Sequence, residues 1–162
     1  MYAAAATTET FRRKPLDHSA HYYARFGATY FLTICCRQRY LNQLCNAAVA
    51  NQIFETAAKY DEQQVWYLEL LLLMPDHLHA LVSVGTDTSL FQIVANFKRA
   101  TTKFANVNWQ RNFFDHRLRS SESSIAKAEY ILQNPVRAGL VTEEEQWPYV
   151  LDREKLEAMA VR

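Results

Sequence analysis

The chain has 162 residues, 49% of them hydrophobic and 22% charged, with a formal net charge of +1. That is enough for one domain with a buried core, and the balance excludes a disordered or fibrous chain. Only three glycines occur, which leaves no glycine-rich phosphate loop and no dinucleotide fold.

Residues 1–27 read as an N-terminal arm without the basic start or long apolar run of a signal peptide. Ala28–Cys36 mixes aromatic, β-branched and apolar residues and predicts a first strand. Asn46 caps a helix over about 47–60, with Val49, Ile53 and Ala57 on one face. Gln64–Met74 is a second strand, and its apolar run Leu70–Met74 suggests a central place in a sheet. That run is far too short to cross a bilayer. Pro75 and Asp76 break the chain before a third strand, His77–Val84. Thr88 or Ser89 caps a helix over 90–106, striped by Leu90, Ile93, Phe97, Thr101 and Phe104. Phe113–Arg119 reads as a fourth, edge strand. Ser121 caps a third helix to about Gln133, which Pro135 ends, and Gly139 closes a short turn. A weaker helix spans about 152–161.

The order β-α-β-β-α-β defines an α+β class, a ferredoxin-like antiparallel sheet with an additional C-terminal helix that carries Tyr130. The expected division is an arm at 1–27, a catalytic domain at 28–141 and an acidic tail or helix at 142–162. Cys35, Cys36 and Cys45 lack zinc-site spacing and read as free thiols in a reducing cytoplasm, with no membrane association.

Charge is unevenly spread. Six basic residues against one acid lie between Arg12 and Arg39, and six against one between Lys98 and Arg119. From Glu143 onward, six acids face three bases. Two basic blocks and an acidic tail suggest a polyanionic partner, although a solvated surface gives the same count. Lys98, Arg99, Lys103, Arg111, Arg117 and Arg119 are the candidate residues for binding such a partner.

Two constellations could carry chemistry. In Met74-Pro75-Asp76-His77-Leu78-His79 the histidines stand at i and i+2 on a strand, so both rings face one side. Such a pair can hold a divalent metal and leave positions open for substrate oxygens; an ordinary pair of strand histidines is the plain alternative. In Tyr130-Ile131-Leu132-Gln133-Asn134-Pro135, Tyr130 and Asn134 are one helical turn apart. Tyrosine can form a covalent intermediate but needs a nearby cation, for which Lys127 is a candidate. Asn134 could offer its amide oxygen to the metal, or could cap the short turn that begins at Pro135. Asp115-His116 is a third, weaker candidate.

The segments "MPDHLHALV", "WQRNFFDHRLR" and "YILQNPVRAGLV", with "GATYFLTICCRQR" as a first strand, resemble the HUH single-tyrosine transposases. The resemblance is strongest to the REP-associated tyrosine transposases and spans roughly Arg13 to Trp147. It implies that His77 and His79 are metal ligands for Mg2+ or Mn2+, that Tyr130 is the nucleophile, and that Asn134 is a polar ligand or helper. Asp76 stands where relatives often carry Asn, a departure expected to matter little. The implied activity is nicking and rejoining of single-stranded DNA bearing palindromic hairpins, through a 5′-phosphotyrosine, by a monomer in preference to a homodimer. A DNA-binding module without activity, and a phosphodiesterase that uses water, are the other readings.

Overall fold

A computed structural model of the chain describes residues 27–119 and 122–161. The arm with Arg12, Arg13, Lys14 and Arg25, and the proposed cap Ser121, lie outside the described residues.

The elements are β1 (Ala28–Cys35), α1 (Ala47–Glu62), β2 (Tyr67–Met74), β3 (His77–Val84), α2 (Leu90–Ala105), β4 (Phe114–Arg117), α3 (Ser124–Leu132), α4 (Asn134–Arg137), β5 (Val150–Asp152) and α5 (Arg153–Ala160). The strands form one five-stranded sheet in the order β4-β1-β3-β2-β5, and every pairing is antiparallel. The order β-α-β-β-α-β expected from sequence is therefore present, with β4 at an edge. The fifth strand is an addition to that expectation.

Side chains one residue apart along a strand point to opposite faces, and each face has its own cover. On one face Leu32, Ile34, Leu78, Ala80 and Val82 pack against Ala50, Ile53 and Ala57 of α1 and Ile93, Val94 and Phe97 of α2. On the other, Phe31, Leu70, Leu72, Met74 and Leu81 pack against Ala128 and Ile131 of α3. A β2 strand covered on both sides explains its leucine run.

The register of β2 against β3 shifts between Leu68 and Leu70. Glu69 is the extra residue of this bulge, and the odd step moves Leu70 to the α3 face although Leu68 belongs to the α1/α2 face.

Local chemistry sets the helix ends. The side chains of Asn46, Ser89, Ser123 and Asp152 accept from backbone N–H groups in the first turns of α1, α2, α3 and α5. Asn106 ends α2 in the left-handed region at φ 56°. After α4, Gly139 at φ 69° takes the same conformation, with its N–H on the Val136 carbonyl and that of Leu140 on the Pro135 carbonyl. Asp61 accepts from Arg153 Nη1 and from the Leu68 N–H, tying the C-terminal helix to the start of β2. Two expectations change in detail. Ser123 caps α3. Phe104, expected on the buried stripe of α2, is 60% exposed, because Thr101 is the last residue of that stripe to meet the core.

Candidate active site

The α3 face of the sheet carries both constellations. Antiparallel pairing sets Cys35 opposite His77, Thr33 opposite His79 and Phe31 opposite Leu81. His77 and His79 therefore emerge side by side, with ring centroids 4.9 Å apart. His79 Nδ1 lies 3.0 Å from Thr33 Oγ1, and its ring stacks on Phe31 at 5.4 Å. His77 Nδ1 lies 2.7 Å from Asp76 Oδ1.

Burial drives the His79 pKa down to about 3, assisted by His77 and Arg137 and opposed by the Leu32 backbone. The ring is neutral near physiological pH, the form a metal ligand requires. Burial alone would raise the Asp76 carboxyl. Its bonds to His77 and to the Tyr40 N–H, with the Arg39 guanidinium beside it, outweigh burial and hold it below the ordinary range.

Tyr130 projects from α3 above the same face and is half exposed. Its ring meets Phe31 edge-on at 6.2 Å, so Phe31 touches the tyrosine and His79 at once. Cations flank it: the Arg137 guanidinium is 4.3 Å and Lys127 Nζ 5.5 Å from the ring centroid. Arg137 Nη2 also donates to the Tyr130 carbonyl at 2.8 Å. Asn134 does not cap from outside. It is the first residue of α4, and its amide nitrogen donates to the Tyr130 and Ile131 carbonyls at 3.2 and 3.0 Å. That use of the nitrogen leaves the amide oxygen for another partner.

The donor set fits a divalent cation in part. Two imidazoles have their Nδ1 atoms engaged, which leaves Nε2 on each as the available donor. Among the described residues no group of three or more His, Cys, Asp or Glu could complete a site. Any further ligand would have to come from another residue type, from substrate or from water. A mixed nitrogen–oxygen set of this kind suits Mn2+ at least as well as the harder Mg2+.

His116 shares this face, across from Phe31, but its Nε2 lies 2.9 Å from Glu122 Oε1. The Arg119 N–H and His116 together hold the Glu122 carboxyl below its usual range. This pair braces the approach to α3 and does not join the histidine site. Asp115 pairs with Leu32 and points to the opposite face.

The candidate DNA-binding residues divide. Lys98, Arg99, Lys103 and Arg111 line one open hollow of about 430 Å³ with Trp109 at its wall. Arg117 lies on β4 and Arg119 just beyond it, outside this lining. Lys98 Nζ is bound to the Arg111 carbonyl at 2.8 Å, so part of its charge is committed to holding the hollow together. Sequence reasoning missed Arg137, Thr33 and the role of Asp76. Arg137 was within reach, since it follows Tyr130 by two helical turns.

The chain matches the family model described as "Transposase IS200 like" over residues 24–133. It is 24% identical over 131 residues to the REP-associated tyrosine transposase of Escherichia coli K12, covering 79% of this chain and 78% of that protein. An uncharacterized protein of Haemophilus influenzae is 28% identical over 156 residues, covering 72% and 84%. A solved structure of a REP-associated tyrosine transposase bound to a REP hairpin superposes with a TM-score of 0.65 at 23% identity, covering 87% of this chain and 81% of that one. At that identity the match speaks for the fold. Among the described residues no helix is long and apolar enough to cross a membrane.

Proposed function

This chain belongs to the IS200-like transposase family, and we propose that it cuts and rejoins single-stranded DNA beside a hairpin, with Tyr130 as nucleophile. The observation that carries this reading is the shared face. Tyr130, His77 and His79 reach the same side of the sheet from different elements, linked through Phe31.

The Tyr130 hydroxyl oxygen attacks the scissile phosphorus. A phosphorus–oxygen bond forms to tyrosine, the bond to the 3′ oxygen breaks, and the phenolic proton is lost as the 3′-hydroxyl takes one up. The product is a 5′-phosphotyrosine. Attack by another 3′-hydroxyl reverses the step and joins strands with no external energy source. His77 and His79, with the Asn134 oxygen, would hold Mg2+ or Mn2+, and the ion supplies positive charge to the phosphate. Arg137 and Lys127, beside the tyrosine, offer charge to the non-bridging oxygens as they gain it. The basic hollow on α2 is the first candidate for holding the DNA backbone, and a hairpin-bearing strand acted on by a monomer is the expected substrate arrangement.

The test uses end-labelled single-stranded hairpin DNA with metal, followed by denaturation. Wild type should carry label on Tyr130. Tyr130→Phe should fold, bind DNA and carry none, because the phenyl ring has no oxygen to attack phosphorus. Nicking by Tyr130→Phe at the wild-type rate would transfer the reaction to a water nucleophile. Loss of nicking in chelator, with recovery on adding Mn2+ or Mg2+, is the companion expectation.

A further inference from the structure

Asp76 lies in the tight turn between β2 and β3, and the segment after β1 folds around that turn. The Cys36 N–H donates to the Asp76 carbonyl at 2.8 Å, and the N–H groups of Gln43 and Leu44 donate to the Pro75 carbonyl at 2.7 and 3.1 Å. The carboxylate is divided between two tasks. Oδ2 accepts from the Tyr40 N–H at 2.7 Å and pairs with Arg39 Nε at 3.2 Å. Oδ1 faces His77 Nδ1 at 2.7 Å. Asp76 is 6% exposed, so water does not compete freely for these bonds.

An ionised carboxylate only accepts hydrogen bonds. With both oxygens so engaged, His77 must carry a proton on Nδ1, and in the neutral ring it is Nε2 that keeps the free lone pair. We propose that Asp76 is a positioning residue that selects this tautomer of His77, and that Arg39 and the Tyr40 N–H lock the carboxylate for the task. This rests on the reading of His77 and His79 as metal ligands and names what prepares one of them. A hydrogen-bonded imidazole of fixed orientation meets a cation without first shifting its proton or turning its ring. Thr33 is a weaker counterpart at His79, because a hydroxyl can donate or accept and so fixes no tautomer.

The near-isosteric change Asp76→Asn sets the terms of the test. An amide has one acceptor oxygen, while Tyr40, Arg39 and His77 together bring three donors. If the oxygen stays with Tyr40 and Arg39, the NH2 group faces His77 and drives its proton to Nε2. Long-range 1H–15N spectra of the metal-free protein, labelled in histidine, read which ring nitrogen is protonated. Mn2+ titration followed by the electron-spin signal of the free ion reads affinity without any activity measurement.

The wild type should show His77 protonated on Nδ1. Asp76→Asn should keep the fold, move His77 toward the Nε2-protonated form and weaken Mn2+ binding. Asp76→Ala should weaken it further, by about 10- to 100-fold. The His79 resonances should stay in place in both variants. A wild-type His77 protonated on Nε2 would overturn the proposal, as would wild-type Mn2+ affinity in Asp76→Asn. His77→Ala separates the two readings. If it abolishes Mn2+ binding while the Asp76 variants bind normally, only the positioning role fails. If the wild type binds no Mn2+ at all, the metal reading fails and takes the positioning role with it.

Discussion

β1 and β3 serve two faces of the sheet, and the faces differ in what they bury. The α1/α2 face is closed by Trp66, Phe97 and a dense aliphatic layer, and nearly every side chain in it is apolar. The α3 face is thinner. Two residues of α3, Ala128 and Ile131, are fully buried against it, and the same strands there present His77, His79 and Thr33 beside Phe31. One face therefore supplies the stability that lets the other hold polar groups and an exposed tyrosine. Alternation along a strand makes this possible, because each residue step changes the environment without changing the backbone.

The sharpest way to break the contrast is to remove a ring from each side. Phe97→Ala, at a fully buried position, should cost about 3–5 kcal/mol in denaturant unfolding and lower activity only through the folded fraction. Phe31→Leu keeps an apolar side chain but removes the stacking on His79 and the edge-on approach to Tyr130. Its stability cost should be only about 0.5–1.5 kcal/mol. Its nicking rate should fall by as much as about 100-fold, because reacting groups displaced by an ångström slow by that much. Equal losses of stability in the two variants would mean that the faces do not divide the work.

Smaller effects sharpen the picture. Replacing Arg99, Lys103 and Arg111 with glutamine should flatten the dependence of DNA affinity on salt, by about 0.7 to 0.9 in log–log slope for each phosphate no longer neutralised. An unchanged slope would locate the DNA path away from the α2 hollow. The mildest probe is thiol labelling of the native protein. Burial pushes the thiols of Cys36 and Cys45 up to about 12, so neither offers thiolate near neutral pH. Cys35 is partly exposed on the histidine face. A thiol reagent should modify Cys35 first and leave the other two until the chain unfolds.

Much of this arrangement follows from periodicity, which is local. The histidines share a face because they are two residues apart on a strand, and Asn134 meets the Tyr130 carbonyl because it is one turn on. The approach of α3 to the histidines is tertiary and was legible only through resemblance to a family. β5 was missed because its three residues, Val150–Asp152, are too few to show alternation. Phe104 misled because helical spacing alone does not say where a helix leaves the core. Asp76 was expected to matter little, because its partners Arg39 and Tyr40 lie far earlier in the chain.

The bulge at Glu69 carries one more consequence, for the fidelity of strand pairing. A run such as Leu70–Met74 has no parity of its own, since sliding it by one residue still buries one apolar side chain after another. Glu69 breaks that degeneracy. It is acidic and 2% exposed at the bulge itself, and a slip by one position would move its carboxylate from the bulge to a regular ladder place between leucines. A single residue thus indexes β2 against β3. Met74 pairs with His77 and Leu72 with His79 in that register, so which side chains of β2 flank the two histidines depends on a bulge near the opposite end of the strand.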